Sequence, residues 1–151
     1  MEIMRILYKY GLLFLTVLAL FSFKGISNNG IENKINKSLY SVLKIVSEDE
    51  KFLVWIDFTD KGENVNDLLE TPERLLTPKA IERRQLRGTG ELVDFTDLPV
   101  NGKYINAVKN YGLEIKNVSK WFNSVSIYAT KHQIEQLARE DFVKEIELVA
   151  R

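Results

Sequence analysis

Two short runs between residues 113 and 129 alternate strictly between apolar and polar side chains. The segment that separates them has turn-forming residues at both ends and carries Trp121 and Phe122 in its second half. A two-residue period places the apolar side chains on one face of an extended chain, as in a half-buried antiparallel strand. The pattern therefore predicts a β-hairpin with two large aromatic rings near its bend.

The run Phe52–Phe58 is the strongest strand candidate, because it is apolar on both faces. Alternate residues from Phe52 onward share one face, and Leu53 and Trp55 share the other. Such a strand is either central in a sheet covered on both sides or keeps its second face for a partner.

Helical segments are marked by their first residues. In Thr71-Pro72 and Thr77-Pro78 a capping hydroxyl precedes a proline suited to the first helical position, and the second pair predicts a short helix to Leu86. Residues 101–112 begin with an N-cap asparagine and end with glycine, and residues 130–133 have the spacing of a capping box before an apolar helical stripe.

Residues 142–149 alternate once more and predict a closing strand, with Ile146 and Leu148 facing inward. The element order is thus strand, irregular insert, helix, strand, strand, helix, strand. This order is typical of the ferredoxin-like split βαββαβ fold, an α+β architecture in which two helices cover one face of a four-stranded antiparallel sheet. The insert, residues 60–100, holds the short helix.

The first 27 residues have the features of a secretory signal peptide. Arg5 and Lys9 provide a basic start, and residues 11–23 form a thirteen-residue apolar run, which is shorter than a membrane-spanning helix. Small residues near Ser27 place the expected cut after it, with an uncleaved membrane anchor as the alternative. We expect a tether over residues 28–50, with one helical turn or short strand, and a folded domain over residues 51–151.

This division of the chain has consequences for location and charge. Removing residues 1–27 takes away three basic residues and one acidic residue, which leaves a net charge of −2. We therefore expect a secreted, periplasmic or cell-surface protein without membrane contact after signal removal, and without nucleic acid as a partner.

Candidate chemistry is sparse. The chain has no cysteine and one histidine, which excludes disulfides, thiol nucleophiles and multi-histidine metal sites. His132 falls in the first turn of an amphipathic helix, a solvated position, and acidic pairs such as Asp49/Glu50 and Glu140/Asp141 lie at element ends. We expect no cofactor, no metal and no enzymatic activity.

Aromatic side chains on this topology also raise the possibility of an RNA-recognition sheet. Trp55 on the first strand and Trp121 and Phe122 near the third have the appropriate residue type. The glycine-aromatic core of that motif is missing from residues 120–127, and the export signal and neutral charge disfavour it.

Four stretches in this order resemble the N-terminal propeptide of secreted subtilisin-like serine proteases in the form found in Bacteroidetes. The resemblance covers about residues 51–149, and Phe122 departs from it where an aliphatic residue is commoner. The four stretches are Phe58-Thr-Asp-Lys-Gly62, Leu76-Thr-Pro-Lys-Ala-Ile-Glu-Arg-Arg84, Asp97-Leu-Pro-Val100 and Ser119-Lys-Trp-Phe-Asn123.

The resemblance implies a protease partner for the sheet. In such propeptides the open sheet face lies against two helices of the catalytic domain, and the C-terminal strand leads into the active-site cleft. By this likeness Leu53, Trp55 and Tyr128 would form the apolar contact, and Glu145 and Glu147 would cap helices of the partner. The segment that would extend toward the substrate subsites comprises Leu148, Val149, Ala150 and Arg151.

Three alternatives stay open at this stage. The insert or the tether could cover Trp55, which would remove the apolar contact. No catalytic domain follows Arg151 in the sequence, so we expect either a separately encoded inhibitor or, with slight preference, a fragment of a protease gene. A stand-alone secreted binding module without a protease partner is the alternative from a different class.

Overall fold

A computed structural model describes residues 29–88 and 90–149, and the predicted signal peptide lies outside these residues. Four strands form a sheet in the order β2-β3-β1-β4, and every neighbouring pair is antiparallel. The predicted α+β class with a four-stranded antiparallel sheet is confirmed, and the closer ferredoxin-like assignment stays a prediction. The strands are β1 (Lys51–Phe58), β2 (Ile115–Ser119), β3 (Ser124–Thr130) and β4 (Val143–Leu148).

The described residues also form short helices, most of them between the strands. The α-helices are α1 (Asn29–Glu32), α2 (Lys37–Leu43), α3 (Val65–Leu69), α4 (Pro78–Arg87), α5 (Gly102–Asn110) and α6 (Lys131–Leu137), and 3-10 turns span Pro72–Arg74 and Phe95–Asp97. None of the helices that the structure describes is long and apolar enough to cross a membrane.

Helix caps agree with the sequence at three of the four predicted positions. The side chains of Thr77, Asn101 and Thr130 each accept a hydrogen bond from a backbone N–H in the first helical turn. Thr71 differs, because its hydroxyl donates backward to the carbonyl of Asp67 at 2.6 Å and leaves only a 3-10 turn after it. A hydroxyl that hydrogen-bonds to the preceding turn does not cap the helical turn that follows.

The core lies on one face of the sheet. Val108 of α5 and Ile134 and Leu137 of α6 are buried in the same cluster as the inward-facing side chains of the central strands. Those strand residues follow the predicted alternation, which is why one face of each strand is sealed. They are Val54, Ile56, Phe58, Val125, Ile127, Ala129, Val143 and Ile146.

The segment interpreted as a tether contributes to this core. Ile35, Leu39 and Leu43 are buried in the main cluster, and α2 is two turns long rather than one. Burying three such side chains is worth about 5–9 kcal/mol before entropy is subtracted. Because these side chains are buried in the core, residues 29–43 are part of the folded unit. The polar residues at both ends of the segment conceal this role in the sequence.

The hairpin turn is shorter than the sequence suggested. Asn117 and Ser119 are turn-formers by type but lie within β2, because cross-strand pairing to β3 overrides their local preference. The turn is Lys120–Asn123, and Asn123 adopts a left-handed φ of 57°. Its amide donates to the carbonyls of Phe58 and Asp60 at 3.2 and 2.7 Å, which leaves Trp121 and Phe122 exposed on a fixed loop.

Candidate functional site

The candidate site is the sheet face opposite the core, called the open face below. Side chains at alternate positions of β1 lie on it: Leu53, Trp55 and Asp57. Leu53 pairs directly with Tyr128 of β3, and Trp55 lies between Ser126 of β3 and Glu147 of β4. Asp57 lies between Ser124 and Glu145 in the same way. The register thus brings together five of the side chains predicted from the sequence.

The apolar part of the open face consists of Leu53, Trp55 and Tyr128. Leu53 and Trp55 are half-buried, and Tyr128 is 48% exposed. None of the three belongs to the core cluster or packs against it as a partly buried neighbour. Among the described residues Trp55 is thus partly exposed and not buried.

Two serines of β3 make the centre of the open face shallow. Ser124 and Ser126 are each 1% exposed. Ser124 donates a hydrogen bond to a carboxylate oxygen of Asp57 at 2.6 Å, and Asn117 donates to the hydroxyl of Ser126 at 3.1 Å. These hydrogen bonds tie the polar side chains to their neighbours on the adjoining strands.

The β4 side of the open face is acidic. Asp57, Glu145 and Glu147 lie on neighbouring positions of β1 and β4. Burial raises the pKa of Glu147, and the nearby carboxylates of Asp57 and Glu145 raise it further. The side-chain amide of Asn36 donates to Glu145 at 3.1 Å. This side is suited to a cationic or N–H-rich partner surface.

The end of β4 stays paired with β1. Val149 donates its N–H to the carbonyl of Leu53 at 3.1 Å, so the chain is held against β1 one residue beyond the strand. Leu148 is half-buried and packs against the core, as its inward position predicted. Ala150 and Arg151 lie outside the described residues, and their predicted contact stays a prediction.

The open face offers binding groups and no catalytic arrangement. His132 is exposed on α6, away from the sheet face. Within residues 29–88 and 90–149, no group of three histidine or acidic side chains could hold a metal ion. A groove of about 450 Å³ between α2 and α6 is lined by other residues and does not reach the open face.

Comparison with protein families identifies this domain. Residues 53–151 match the family model described as the peptidase S8 propeptide domain of Bacteroidota, which is well over half of the chain. The chain belongs to this propeptide family. No curated protein and no solved structure matches the sequence. The S8 propeptide match confirms the resemblance that the four sequence stretches carried.

The S8 propeptide domain is not the catalytic domain of its family, so the matched residues are not catalytic. It implies an S8 protease catalytic domain as the partner. The match begins at Leu53 and therefore includes almost all of β1 and every later element, but not α1 or α2.

Two contributors to the acidic side of the site were missed from the sequence. Asp57 shares its face with Leu53 and Trp55, and the same alternation that identified those two could have found it. Asn36 carries no local signal of this kind, because its contact with Glu145 spans 109 residues.

Proposed function

We propose that the open face binds the catalytic domain of an S8 peptidase and that the domain acts as its intramolecular chaperone and inhibitor. The observation that carries this proposal is the patch of Leu53, Trp55 and Tyr128. Its three side chains occupy neighbouring positions of the paired strands β1 and β3 and lie outside the core cluster. Large apolar side chains left outside a core on a regular surface mark a protein contact.

The patch is suited to tight binding because its support is rigid. Trp55 and Tyr128 project from β1 and β3, the two central strands, which are paired over seven residues. Anchors that are fixed before binding lose little conformational entropy on association. Truncation of a central aromatic anchor typically costs 2 kcal/mol or more, which is about 30-fold in affinity.

The acidic side would complement helix N-termini of the protease. Glu145 and Glu147 lie beside the apolar patch and point away from the core. The unpaired N–H groups of a helix N-terminus favour a carboxylate by about 0.3–1 kcal/mol at an exposed position. Their role is therefore orientation more than affinity.

The C-terminal segment would provide the inhibitory contact. Val149 is still hydrogen-bonded to β1, which fixes the last described residue of the chain beside the open face. An extended segment can add to a substrate cleft as a further strand through main-chain hydrogen bonds. The open face would then hold the domain in place while this segment occupies the cleft.

The decisive experiment adds the domain in trans to an S8 catalytic domain and measures both the inhibition constant and the refolding yield of the denatured protease. The double variant Trp55→Ala and Tyr128→Ala should raise the inhibition constant at least about 30-fold and reduce the yield. Leu86→Ala is the matched control, because Leu86 is an exposed apolar residue of α4 outside the open face.

The thermal midpoint of the double variant shows whether the patch serves binding or folding. If the double variant loses stability in proportion to its loss of inhibition, the patch is structural and the proposal is wrong. If the parent domain neither inhibits nor assists any S8 catalytic domain, the stand-alone binding module becomes the better account.

Export belongs to the same proposal. The family match assigns a propeptide of S8 peptidases, and the basic start and apolar run of residues 1–27 have the form of a signal peptide. N-terminal sequencing of the protein from the periplasm or medium should begin at Asn28. A mature protein that begins at Met1 would contradict this.

A further inference from the structure

We propose that residues 34–43, called the N-terminal strap below, are a working part of the propeptide domain although they lie outside the residues that match the family. The strap closes the outer edge of β4 and, through Asn36, positions the carboxylate of Glu145 on the open face. The second half of this inference rests on the proposed inhibitory function, and the first half does not.

The edge closure is made by backbone hydrogen bonds. Asn36 donates its N–H to the carbonyl of Ile146 at 2.8 Å, and Ile146 donates its N–H to the carbonyl of Lys34 at 2.7 Å. Ile35 thereby forms a parallel bridge with Ile146 on the side of β4 that faces away from β1. An uncovered edge strand is a template for pairing with another chain, and the strap removes that template at its centre.

Buried side chains fasten the strap to the domain. Ile35 precedes α2, and Leu39 and Leu43 face the core from it, where all three are buried. The ammonium group of Lys34 donates to the carbonyl of Glu140 at 2.8 Å, just before β4 begins. These contacts make the strap a fixed neighbour of β4, so that it can position groups on that strand.

The side-chain amide of Asn36 makes two hydrogen bonds, one through its oxygen and one through its nitrogen. Its oxygen accepts from the backbone N–H of Ser38 at 3.0 Å and caps α2, and its nitrogen donates to Glu145 at 3.1 Å. Among the described residues no other side chain donates a hydrogen bond to that carboxylate. Because the cap fixes the amide, the amide can fix the Glu145 carboxylate beside Asp57 before a partner arrives.

The edge closure is tested without a protease. In the full mature chain, Leu39→Ala with Leu43→Ala loosens the strap, and amide hydrogen exchange is compared at Ile146 in β4 and Ile56 in β1. We expect protection at Ile146 to fall at least about tenfold more than at Ile56, with dimers or larger species in size-exclusion chromatography. Equal changes at the two amides would overturn the edge role.

The positioning role is tested with variants that separate the two tasks of Asn36. Asn36→Ser keeps a side-chain oxygen suited to capping but lacks the donor to Glu145, and Asn36→Asp keeps the cap and places a like charge there. We expect Asn36→Ser to raise the inhibition constant about 3–10-fold without moving the thermal midpoint, and Asn36→Asp to raise it further.

A Glu145→Ala background provides the control. There, Asn36→Ser should leave the inhibition constant unchanged, because the group that it positions is gone. An equal effect of Asn36→Ser with and without Glu145, or no effect in either, would overturn the positioning role. If the parent domain inhibits no S8 protease, this half of the inference fails together with the proposed function, whereas the hydrogen-exchange result judges the edge closure alone.

Discussion

The guanidinium group of Arg84 in α4 donates two hydrogen bonds to the carboxylate of Asp97, at 2.6 and 3.0 Å. The Asp97 side chain is only 5% exposed, and the ammonium group of Lys120 in the hairpin turn lies 3.9 Å from the carboxylate oxygen that accepts the longer of these bonds. Within the described residues of 63–92 no side chain is buried, and this paired carboxylate ties α4 to residue 97.

Asp97→Asn should destabilise the domain at neutral pH, because it leaves the Arg84 and Lys120 charges without their partner. The hydrogen bond from Arg84 lowers the pKa of Asp97. Its stabilising effect is therefore present above the ordinary aspartate pKa and is lost as the pH falls through the lowered value. Thermal midpoints measured from pH 7 to pH 2 should show the parent approaching the variant in acid, and Arg83→Ala, on the exposed side of α4, should behave as the parent.

Glu147→Gln should stabilise the free domain at pH 7. The pKa of Glu147 is raised by burial and by Asp57 and Glu145, so the folded state favours the protonated form. That contribution is present below the ordinary glutamate pKa and is lost as the pH rises through the raised value. The variant should therefore melt at a higher temperature at pH 7, and the difference should vanish near pH 3. A lower midpoint at pH 7 would contradict this assignment.

Lys61→Met should loosen the hairpin turn. The buried ammonium group donates to the carbonyl of Leu98 at 2.9 Å and to that of Lys120, and it lies 5.3 Å from the centre of the Phe95 ring. Leaving two carbonyls without their donor costs about 1–3 kcal/mol. Chemical denaturation should show this loss, together with faster exchange of the turn amides. Lys103→Met, at an exposed position of α5, should show neither effect.

Thr130→Ala should remove a reciprocal cap at the start of α6. The Thr130 hydroxyl accepts from the N–H of Gln133, and the Gln133 side chain accepts from the N–H of Thr130 at 3.0 Å. Loss of such a cap lowers the free energy of unfolding by about 1 kcal/mol. Thr130→Ser keeps the hydroxyl and should recover most of this loss in the same denaturation experiment.

Elements with a strong local signal could be predicted from the sequence. The alternation from Phe52 to Phe58 fixes which side of β1 is buried, and the capping box at Thr130 fixes where α6 begins. In both cases the residues that determine the structure lie within a few positions of the element, so the local sequence pattern is enough to predict it. The same alternation placed Leu53 and Trp55 on the face opposite the core, where both are half-buried.

Features that depend on distant parts of the chain could not be predicted. Ile35 and Leu39 lie in a segment with polar ends, where Ile35 pairs with the outer edge of β4 and both side chains are buried in the core cluster. Nothing near Arg84 in the sequence indicates its partner, because that partner is a carboxylate thirteen residues further on. A sequence pattern does not show which distant residues will be in contact.

The most direct test of the central claim is oxidative footprinting of the two tryptophans in the free domain and in its complex with an S8 catalytic domain. Trp55 lies on the open face, and Trp121, on the hairpin turn, serves as the internal reference. If the open face binds the protease, the oxidation rate of Trp55 should fall at least about tenfold in the complex while that of Trp121 stays nearly constant. An unchanged rate at Trp55 in a complex that still inhibits would contradict the claim.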